Sequence, residues 1–410
     1  MYKSFIDICA RRQTAGYRLP RVPSTHDNII VAMSGGVDSS VCAALYAHFP
    51  KVRGLYMQNW SQTSGSGPVE GKAEPCYEQD WKDIEKVGAY LNIPVERVNF
   101  ERDYWLDVFE PMLQRYQQGY TPNPDIGCNR FVKFGALREH LDKEYGRGNY
   151  WLVTGHYARI LSPQTRRETH LLRSHYAPKD QSYYLSQVGR EALADLLMPM
   201  GFLTKPEVRQ WAAELHLPNA TKPDSQGICF VNNSQHGRFQ NFLQEYLPSS
   251  VGHIVTVEEE SGTRRIWGQH RGIWSYTIGQ RVGISLPQGD PKYQGAWYVS
   301  HKDPKTNTIE IVKGRDNRAL YKDTLSVSDF ESLVPPEDLA STLEAAMTNG
   351  ELYMQFRSLQ QAVKVTRLQL QDSGFELQLA TAQRAMAPGQ YCCLYHNDRV
   401  LGSGTVRATF

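Results

Sequence analysis

Cysteine is scarce in this sequence, and long apolar runs are missing. Seven cysteines in 410 residues are too few for a disulfide framework, and none of them forms the Cys-x-x-Cys pair of many zinc and dithiol sites. No apolar stretch approaches the roughly 20 residues of a membrane-spanning helix. We therefore expect a protein of a reducing compartment with no membrane partner.

An excess of charge of one sign is also missing. The chain has 45 Lys and Arg residues against 43 Asp and Glu residues, which gives a formal net charge of +2. A nucleic-acid partner is therefore neither required nor excluded, and any surface for a polyanion has to be local. At this length, two or three domains are expected.

The first residues form a basic leader. Five Lys and Arg residues precede residue 22, and Asp7 is the one acid among them. This composition is typical of a mitochondrial presequence, and an ordinary basic N-terminus is the alternative. Because the first predicted strand begins only after this leader, we interpret residues 1–27 as a possible presequence and favour the mitochondrial matrix over the cytoplasm.

From residue 28 onward, buried strands alternate with amphipathic helices, which indicates a doubly wound α/β domain with a parallel sheet. Helices are predicted over 104–116 and 131–145, among others. After about residue 235, short runs rich in Val, Ile and Thr predict a β-rich half. The strands predicted in the first half cover 29–33, 52–57, 95–100 and 150–154. The expected domains cover 28–234, 235–303 and 304–410.

A Gly-rich loop stands between the first strand and the helix that follows it. Its residues are Met33, Ser34, Gly35, Gly36, Val37, Asp38, Ser39 and Ser40. Glycines let the backbone approach a phosphate, and the helix N-terminus adds a partial positive charge. The loop has no lysine, which disfavours a Walker loop and favours a site that releases pyrophosphate. Asp38 either orients Mg²⁺ or stabilises the first helical turn.

Two of the cysteines occupy distinctive settings. Cys128 follows a turn that Pro122 and Pro124 restrict, and it lies at the start of a predicted helix, where a thiolate is favoured. Cys229 follows Pro223 in a loop that contains glycine. Four other cysteines are interpreted as small buried side chains, namely Cys9, Cys42, Cys392 and Cys393.

The Gly-rich loop and the cysteine segments match a known family. The string SGGVDSS is the hallmark of the PP-loop ATP pyrophosphatases. From about residue 28 to its C-terminus, the chain resembles the tRNA-specific 2-thiouridylases of bacteria and mitochondria. The other motifs that agree are Met57 to Trp60 (MQNW), Thr121 to Asn129 (TPNPDIGCN), Lys133-Phe134, Thr154 to Tyr157 (TGHY), Lys179 to Tyr183 (KDQSY), Asp224 to Phe230 (DSQGICF), Gly279 to Arg281 (GQR) and Ala387 to Gln390 (APGQ).

The resemblance implies a fold and a reaction. The fold would be a PP-loop catalytic domain, a small central domain that contacts tRNA and a C-terminal β-barrel-like domain. ATP, with Mg²⁺, would adenylate O2 of the wobble uridine of a tRNA. Sulfur from a cysteine persulfide would then replace AMP, and a persulfide-donating sulfur carrier protein would supply that sulfur.

The resemblance also implies which residues form the site. The loop from Met33 to Ser40, together with Met57 and Gly155, would bind ATP. Cys229 would carry the persulfide and Cys128 would attack it to release the sulfur. Asp125 would shuttle a proton. The residues that would contact tRNA are Asn123, Pro124, Asp125, Lys179, Asp180, Gln181, Gln355 and Phe356.

The chain departs from the family pattern in three places. Gly127 precedes Cys128 where a larger aliphatic residue is expected in bacterial members. Gln355-Phe356 stands where an Arg-Tyr type pair is expected, with Arg357 as the alternative RNA contact, and the loop 61–72 is longer than the core pattern requires. Aromatic and cationic residues of the central region are further candidates for RNA contact, namely His270, Arg271, Trp274, Tyr276, Arg281, Tyr298, Lys302, Lys313 and Arg315.

Two other interpretations stay open at this point. A PP-loop ligase acting on a small molecule, similar to argininosuccinate synthase, would need the nucleotide loop but neither thiol. A non-catalytic RNA-binding protein built on a nucleotide-binding fold is disfavoured, because the loop and both thiols are intact.

Overall fold

The computed structural model describes residues 1–20, 22–61, 76–166, 168–224, 239–258, 261–284, 290–371 and 374–410. Within these ranges the chain forms three sheets. No helix in them combines the length and the apolar character that crossing a membrane requires.

The strands and helices are numbered in chain order. The strands are β1 (Tyr17–Arg18), β2 (Asn28–Met33), β3 (Val52–Gln58), β4 (Val95–Asn99), β5 (Tyr150–Val153), β6 (Ala158–Pro163), β7 (His170–Arg173), β8 (Leu196–Leu197), β9 (Gly252–Val257), β10 (Arg264–His270), β11 (Arg281–Val282), β12 (Trp297–Asp303), β13 (Thr308–Lys313), β14 (Tyr321–Ser332), β15 (Leu352–Gln355), β16 (Val363–Gln371), β17 (Gly374–Arg384), β18 (Tyr391–His396) and β19 (Arg399–Thr409). The α-helices are α1 (Tyr2–Arg11), α2 (Val37–Tyr46), α3 (Cys76–Leu91), α4 (Glu101–Tyr104), α5 (Glu110–Gln117), α6 (Pro124–Gly127), α7 (Leu137–Tyr145), α8 (Lys205–Glu214), α9 (Phe239–Gln244) and α10 (Pro336–Thr348). Two π-helical stretches cover Trp105–Phe109 and Cys128–Ala136, and short 3-10 helices cover Ala177–Lys179, Ser182–Leu185, Arg190–Asp195, Pro199–Phe202, Ile273–Ser275 and Arg318–Leu320.

The first sheet is parallel and has the order β4-β3-β2-β5-β8. The central strands β2 and β5 are apolar without alternation, because helices cover both faces of the sheet. Ile30 of β2 packs into one core with Phe109 and Leu137. Its neighbours Ile29 and Val31 pack into a second core on the other face. This arrangement confirms the predicted doubly wound α/β class.

The C-terminal half contains a closed barrel. Strands β19, β14, β17, β16, β15 and β18 pair in that order, and β18 pairs with β19 to close the ring. Helix α10 buries Leu343 and Ala346 in the barrel core. The predicted β-barrel-like domain is therefore confirmed.

The α/β domain and the barrel share a sheet. Strands β1, β6 and β7 extend it, because β7 pairs with β19 at the register of Leu172 and Arg399. These three strands belong to the α/β half in sequence but lie at the edge of the barrel. Sequence periodicity predicted neither β6 nor β7.

The central sheet has the order β10-β9-β13-β12-β11. Its pairings are antiparallel except for the parallel pair β13–β9. Strand β13 lies beyond residue 303, where the central domain was expected to end, so this sheet extends to Lys313. Arg384 of the barrel donates hydrogen bonds to the carbonyl oxygens of Gly279 and Arg315, which joins the barrel to this unit.

The helices beside the first sheet are wound differently from the prediction. The helix expected over 104–116 consists of α4, a π-helical stretch and α5. The helix expected over 131–145 begins earlier, at Pro124, where the Asn123 side chain accepts a hydrogen bond from the Asp125 backbone N–H. A π-helical stretch then leads into α7.

The N-terminal residues pack against the α/β domain. Phe5 and Cys9 of α1 are buried in the same core as α2. The guanidinium of Arg12 binds both carboxylate oxygens of Glu207 at 2.7 and 2.8 Å and donates to the carbonyl of Phe202. Strand β1 pairs with β6. The segment expected as a possible presequence therefore contributes a helix and a strand to the fold.

We expect Arg12→Ala to lower the free energy of unfolding by about 1–2 kcal/mol near neutral pH, because it removes charge-assisted hydrogen bonds. The bonds from Arg12 hold the pKa of Glu207 down from 4.5 to about 2. A depressed carboxyl pKa stabilises the fold above the unfolded-state pKa, and that stability is lost as the pH falls through the folded value. The difference between wild type and variant should therefore shrink between pH 4.5 and about 2. Chemical denaturation across this range measures it.

Arg147→Ala is the matched control, because the side chains of the Arg147–Glu191 pair are 62% and 65% exposed and exposed pairs contribute little. Equal stabilities of the two variants would show that the contact of the N-terminal segment does not stabilise the fold.

Candidate active site

The Gly-rich loop lies at the carboxyl edge of the parallel sheet. It follows β2, whose neighbours β3 and β5 end at the same edge. Met57 lies near the end of β3, and Gly155 follows β5 closely. The residues expected to bind ATP are therefore brought together, at the edge where such sheets bind ligands.

Internal hydrogen bonds fix the shape of the loop. The Ser34 backbone N–H donates to Ser39 Oγ at 3.2 Å, while the hydroxyls of Ser39 and Ser40 donate to the Gly36 carbonyl at 2.9 and 3.1 Å. Gly35 has a φ of +73°, and a Cβ there would lie 2.9 Å from the backbone oxygen of Asp80. Glycine is therefore required at this position both by conformation and by space.

Other segments hold the loop from outside. Asn219, which is buried, donates from Nδ2 to the Gly35 carbonyl at 3.0 Å and to Ser40 Oγ at 2.9 Å. A Cβ at Gly155 would lie 3.1 Å from the Ser39 nitrogen. Met33 and Val37 are buried in the core, so they support the loop while Ser34 is exposed.

A lysine from a distant helix supplies the cation that the loop lacks. Lys205 Nζ lies 2.6 Å from Asp38 and 2.8 Å from Asp224. The Tyr157 hydroxyl donates to the same Asp38 oxygen at 2.9 Å. Lys205 is the first residue of α8, after the capping box of Thr204 and Glu207. That capping pattern is readable in the sequence and predicts where the helix begins, but not that it begins beside Asp38.

Asp224 forms ion pairs with three cationic side chains. Besides Lys205, it pairs with Lys179 at 2.7 Å and with Arg209. Burial raises its pKa, but the hydrogen bonds from Lys179 and Lys205 outweigh this and hold the pKa far below the ordinary value. The carboxylate is therefore charged at every physiological pH.

Cys229 lies outside the described residues. It stands five positions after Asp224, and a fully extended chain spans at most about 3.6 Å per residue. Covalent geometry alone therefore limits the separation of their Cα atoms to roughly 18 Å.

The second cysteine segment forms a supported turn. The Thr121 backbone N–H donates to the Pro388 carbonyl at 2.8 Å. A Cβ at Gly389 would lie 2.7 Å from the Thr121 nitrogen, so the APGQ motif of the barrel packs directly on the TPNPD turn. Asn123 caps the following helix, and Pro124 is buried.

The expectation that a helix N-terminus lowers the Cys128 pKa is wrong. Cys128 is 3% exposed and lies one turn into the helix that starts at Pro124. Burial raises the pKa of its thiol, Lys133 lowers it, and Asp125 raises it further. Desolvation outweighs the helix end here. At Gly127 a Cβ would lie 3.5 Å from Val108, an ordinary contact, so space alone does not require glycine.

The charge of Lys133 acts on both Asp125 and His156. Burial raises the pKa of Asp125, and Lys133 partly offsets this. Burial lowers the pKa of His156 to about 3, with Lys133 acting in the same direction. His156 is therefore neutral at physiological pH, and its Nδ1 lies 2.9 Å from Thr154 Oγ1.

The TGHY turn joins the nucleotide loop to the Cys128 helix. Gly155 packs on Ser39, Tyr157 donates to Asp38, and the His156 ring lies 5.7 Å from the ring of Phe134. Phe134 belongs to the same π-helical stretch as Cys128. One short turn therefore contacts both the nucleotide loop and the helix that carries Cys128.

Three residues expected to contact tRNA lie inside the junction between the α/β domain and the barrel. Asp180, Gln355 and Phe356 are 7%, 1% and 2% exposed. Asp180 accepts hydrogen bonds from Ser174, Ser182 and Arg173. Side chains so covered have no surface to offer RNA in this arrangement, so their observed contacts are structural.

Two other expected tRNA contacts, Lys179 and Gln181, are more accessible. Lys179 keeps about two fifths of its side chain exposed beside Asp224. Gln181 is partly exposed, and its Oε1 accepts a hydrogen bond from the Tyr157 backbone N–H. Arg357 donates to the carbonyl oxygens of Arg384 and Ala385.

Some candidates for RNA contact in the central region are buried, and others are exposed. His270, Trp274 and Lys302 are buried, and each has a polar contact to a backbone carbonyl. Burial lowers the pKa of Lys302 to about 8. The exposed cations are Arg271, Arg281, Lys313 and Arg315.

Loop, sheet edge and TGHY turn together define a nucleotide-binding protein of the PP-loop class. Family models match the chain in three consecutive parts: a tRNA methyl transferase HUP domain over residues 27–233, a tRNA methyl transferase PRC-barrel domain over 240–313 and an aminomethyltransferase beta-barrel domain over 322–406. The HUP domain implies ATP binding.

Curated relatives cover the whole chain. It is 59% identical over 412 residues to mitochondrial tRNA-specific 2-thiouridylase 1 of Saccharomyces cerevisiae, which covers 99% of this chain and 98% of the relative. It is 37% identical over 411 residues to the protein of the same name in Schizosaccharomyces pombe, with coverages of 99% and 96%. It is 37% identical over 390 residues to tRNA-specific 2-thiouridylase MnmA of Levilactobacillus brevis, with coverages of 94% and 97%. The chain belongs to the tRNA-specific 2-thiouridylase family.

We expect Gln355→Ala to destabilise the protein without weakening tRNA binding by the folded molecule. Gln355 Oε1 accepts from Arg173 at 2.9 Å and its Nε2 donates to the Arg357 carbonyl at 2.7 Å. Removing a buried partner of a charged group costs about 1–3 kcal/mol. Thermal unfolding and the salt dependence of tRNA binding measure the two effects.

Gln361→Ala is the control, because Gln361 is exposed six positions further along the chain. Weaker tRNA binding by Gln355→Ala at unchanged stability would instead identify Gln355 as a direct contact.

Proposed function

We propose that this protein is an ATP-dependent tRNA uridine 2-sulfurtransferase that converts the wobble uridine to 2-thiouridine, with AMP and pyrophosphate as the other products. The observation that carries the proposal is the TGHY turn, which contacts both the nucleotide loop and the Cys128 helix. A site of this kind can activate a base with ATP and attack it with sulfur at neighbouring positions. Membership of the 2-thiouridylase family supports the substrate.

In the first step, uracil O2 attacks the α-phosphorus of ATP. An O–P bond forms, the bond to pyrophosphate breaks, and the uracil N3 loses its proton. The loop from Met33 to Ser40, with Met57 and Gly155, binds the nucleotide, and its N–H groups receive the phosphates. Mg²⁺ would bind the Asp38 carboxylate, where the nearby Lys205 ammonium neutralises further phosphate charge.

In the second step, the terminal sulfur of a Cys229 persulfide attacks C2 of the adenylate. A C–S bond forms and AMP leaves with O2, because adenylation has turned the carbonyl oxygen into part of a leaving group. The Cys128 thiolate then attacks Cys229 Sγ and breaks the sulfur–sulfur bond. The base leaves as 2-thiouridine, and a Cys128–Cys229 disulfide remains, which an external thiol reduces with two electrons.

Asp125 serves as the proton shuttle. Its carboxyl pKa is raised by burial, so it holds a proton more readily than an exposed aspartate. It takes the N3 proton during adenylation and returns it when the thiocarbonyl forms. Asn123 and Pro124, in the same turn, line the flipped base.

The macromolecular partners are tRNA and a persulfide-donating carrier protein. Lys179, Gln181 and the exposed cations of the central region offer contacts to tRNA phosphates. The carrier transfers its sulfane sulfur to Cys229 by attack of the Cys229 thiolate.

A small-molecule PP-loop ligase is the alternative. It would use the same loop, but it would not need the buried Cys128 beside Asp125. Pyrophosphate release from ATP that is independent of tRNA would favour this alternative, whereas release that requires tRNA favours the sulfurtransferase.

We expect Cys128→Ala and Cys229→Ala each to abolish 2-thiouridine formation while ATP binding is retained. Each substitution removes one of the two sulfurs that the transfer needs. Mass spectrometry of nucleosides from tRNA incubated with ATP and a persulfide donor measures the product, and titration with a fluorescent ATP analogue measures binding.

Cys392→Ala is the matched control, because Cys392 is buried like Cys128 but lies in β18 of the barrel. It should retain thiolation. Full thiolation by either of the first two variants would remove that cysteine from the mechanism.

We place the protein in the mitochondrial matrix, on the basic N-terminal composition and on the mitochondrial naming of the two yeast relatives. A reporter fused behind residues 1–27 should enter mitochondria. The same fusion with Arg11, Arg12 and Arg18 replaced by Gln should remain in the cytosol, because import signals depend on positive charge. A cytosolic location of the unaltered fusion would overturn this assignment.

A further inference from the structure

The winding of the helix that carries Cys128 decides which side chains share its face. In an α-helix of about 3.6 residues per turn, a residue five positions ahead lies on the far side. With i→i+5 winding, that residue comes round to the same side. Cys128–Ala136 is wound in this way, and Lys133 stands five positions after Cys128. The winding therefore brings Lys133 to the Cys128 side of the helix.

The surroundings of Cys128 contain few charges. Asp125 and Lys133 act on its thiol from the same helix. Lys133 contributes to the lowered pKa of His156 in the TGHY turn. Asp125 contributes to the raised pKa of Tyr184 in the neighbouring 3-10 helix. Since His156 and Tyr184 are neutral near pH 7, Lys133 is the cation that acts on Cys128 within the described part of the chain.

Lys133 differs from the other lysines near the site. Lys205 and Lys222 each bind two carboxylates at 2.6–2.8 Å. In the ranges that the structure describes, no carboxylate lies within ion-pairing distance of Lys133, and no hydrogen-bond acceptor is paired with it. A partly buried ammonium without a fixed counter-ion is costly. Such a charge is available to an anion that forms during the reaction.

We propose that Lys133 is a positioning residue that stabilises the Cys128 thiolate, and that the π-helical winding serves to bring the two side chains together. The thiol gives its proton to solvent, and the positive charge of Lys133 stabilises the thiolate that remains. Burial alone would leave Cys128 a neutral thiol, which is a poor nucleophile. This inference rests on the proposed function only for what the thiolate then attacks.

The test compares alkylation of Cys128 by iodoacetamide across pH in the full chain, followed by mass spectrometry of the Cys128 peptide. At neutral pH, Lys133→Met should slow alkylation about tenfold or more, because an opposite charge nearby shifts a pKa by at least about one unit. Its pH profile should move to higher pH. Lys133→Arg should stay close to wild type.

Two controls separate charge from structure. Cys392, which is buried in the barrel, reports general access and should react equally in all variants. Lys143→Met changes an exposed lysine of α7, on the same helix, and should leave the Cys128 profile unchanged. If Lys133→Met does not fold, Lys133→Gln gives the same comparison, since it removes the charge and keeps a polar side chain.

A wild-type alkylation profile in a folded variant without the charge overturns the inference, whether or not the protein thiolates tRNA. A shifted profile in Lys133→Met, restored in Lys133→Arg, supports it. If the unaltered protein forms no 2-thiouridine, but Lys133→Met still shifts the alkylation profile of Cys128, the proposed function fails while the role of Lys133 toward Cys128 stands.

Discussion

One ammonium group holds the candidate site together. Lys205 lies between Asp38 of the nucleotide loop and Asp224, at 2.6 and 2.8 Å. Without it, the carboxylates of Asp38 and Asp224 would repel each other as like charges. The position of Lys205 depends on the capping box at the start of α8, and Arg12 binds the Glu207 of that box. Two ion pairs, Arg12 with Glu207 and Lys205 with Asp38, therefore link the N-terminal segment to the nucleotide loop through the start of α8.

The sheet that β6 and β7 share with the barrel gives the site a second constraint. The KDQSY segment leaves this sheet with Asp180 buried among backbone N–H groups and Arg173, while the neighbouring Lys179 reaches Asp224. On the other side of the site, the APGQ motif of the barrel supports the TPNPD turn. The barrel thus contacts segments on both sides of the site. The orientation of the barrel toward tRNA and the geometry of the site therefore depend on the same contacts.

Sequence reasoning succeeded where the signal is local. The strand ends at Met33 and Gln58 and the loop after β2 follow from periodicity and glycine, and the structure has them within one or two residues of the prediction. It failed where the signal is tertiary. Lys205 stands 167 positions from Asp38, and nothing in either segment indicates their contact. The lowered pKa expected for Cys128 was wrong, because the thiol is buried and desolvation raises its pKa by more than the helix end lowers it.

The burial of Cys128 has a chemical reason that opposes its reactivity. An adenylated uracil can be attacked by water as well as by sulfur, so a site that makes this intermediate has to exclude water from C2. In the proposed mechanism, the same exclusion removes solvation from the Cys128 thiolate and raises its pKa. Opening the site would restore the thiolate but admit water. An ammonium on the thiol's own helix favours the charged sulfur without admitting solvent, and His156, which is neutral, adds no competing charge. A site that excludes water can therefore keep a nucleophilic thiolate only where the protein itself supplies a cation such as Lys133.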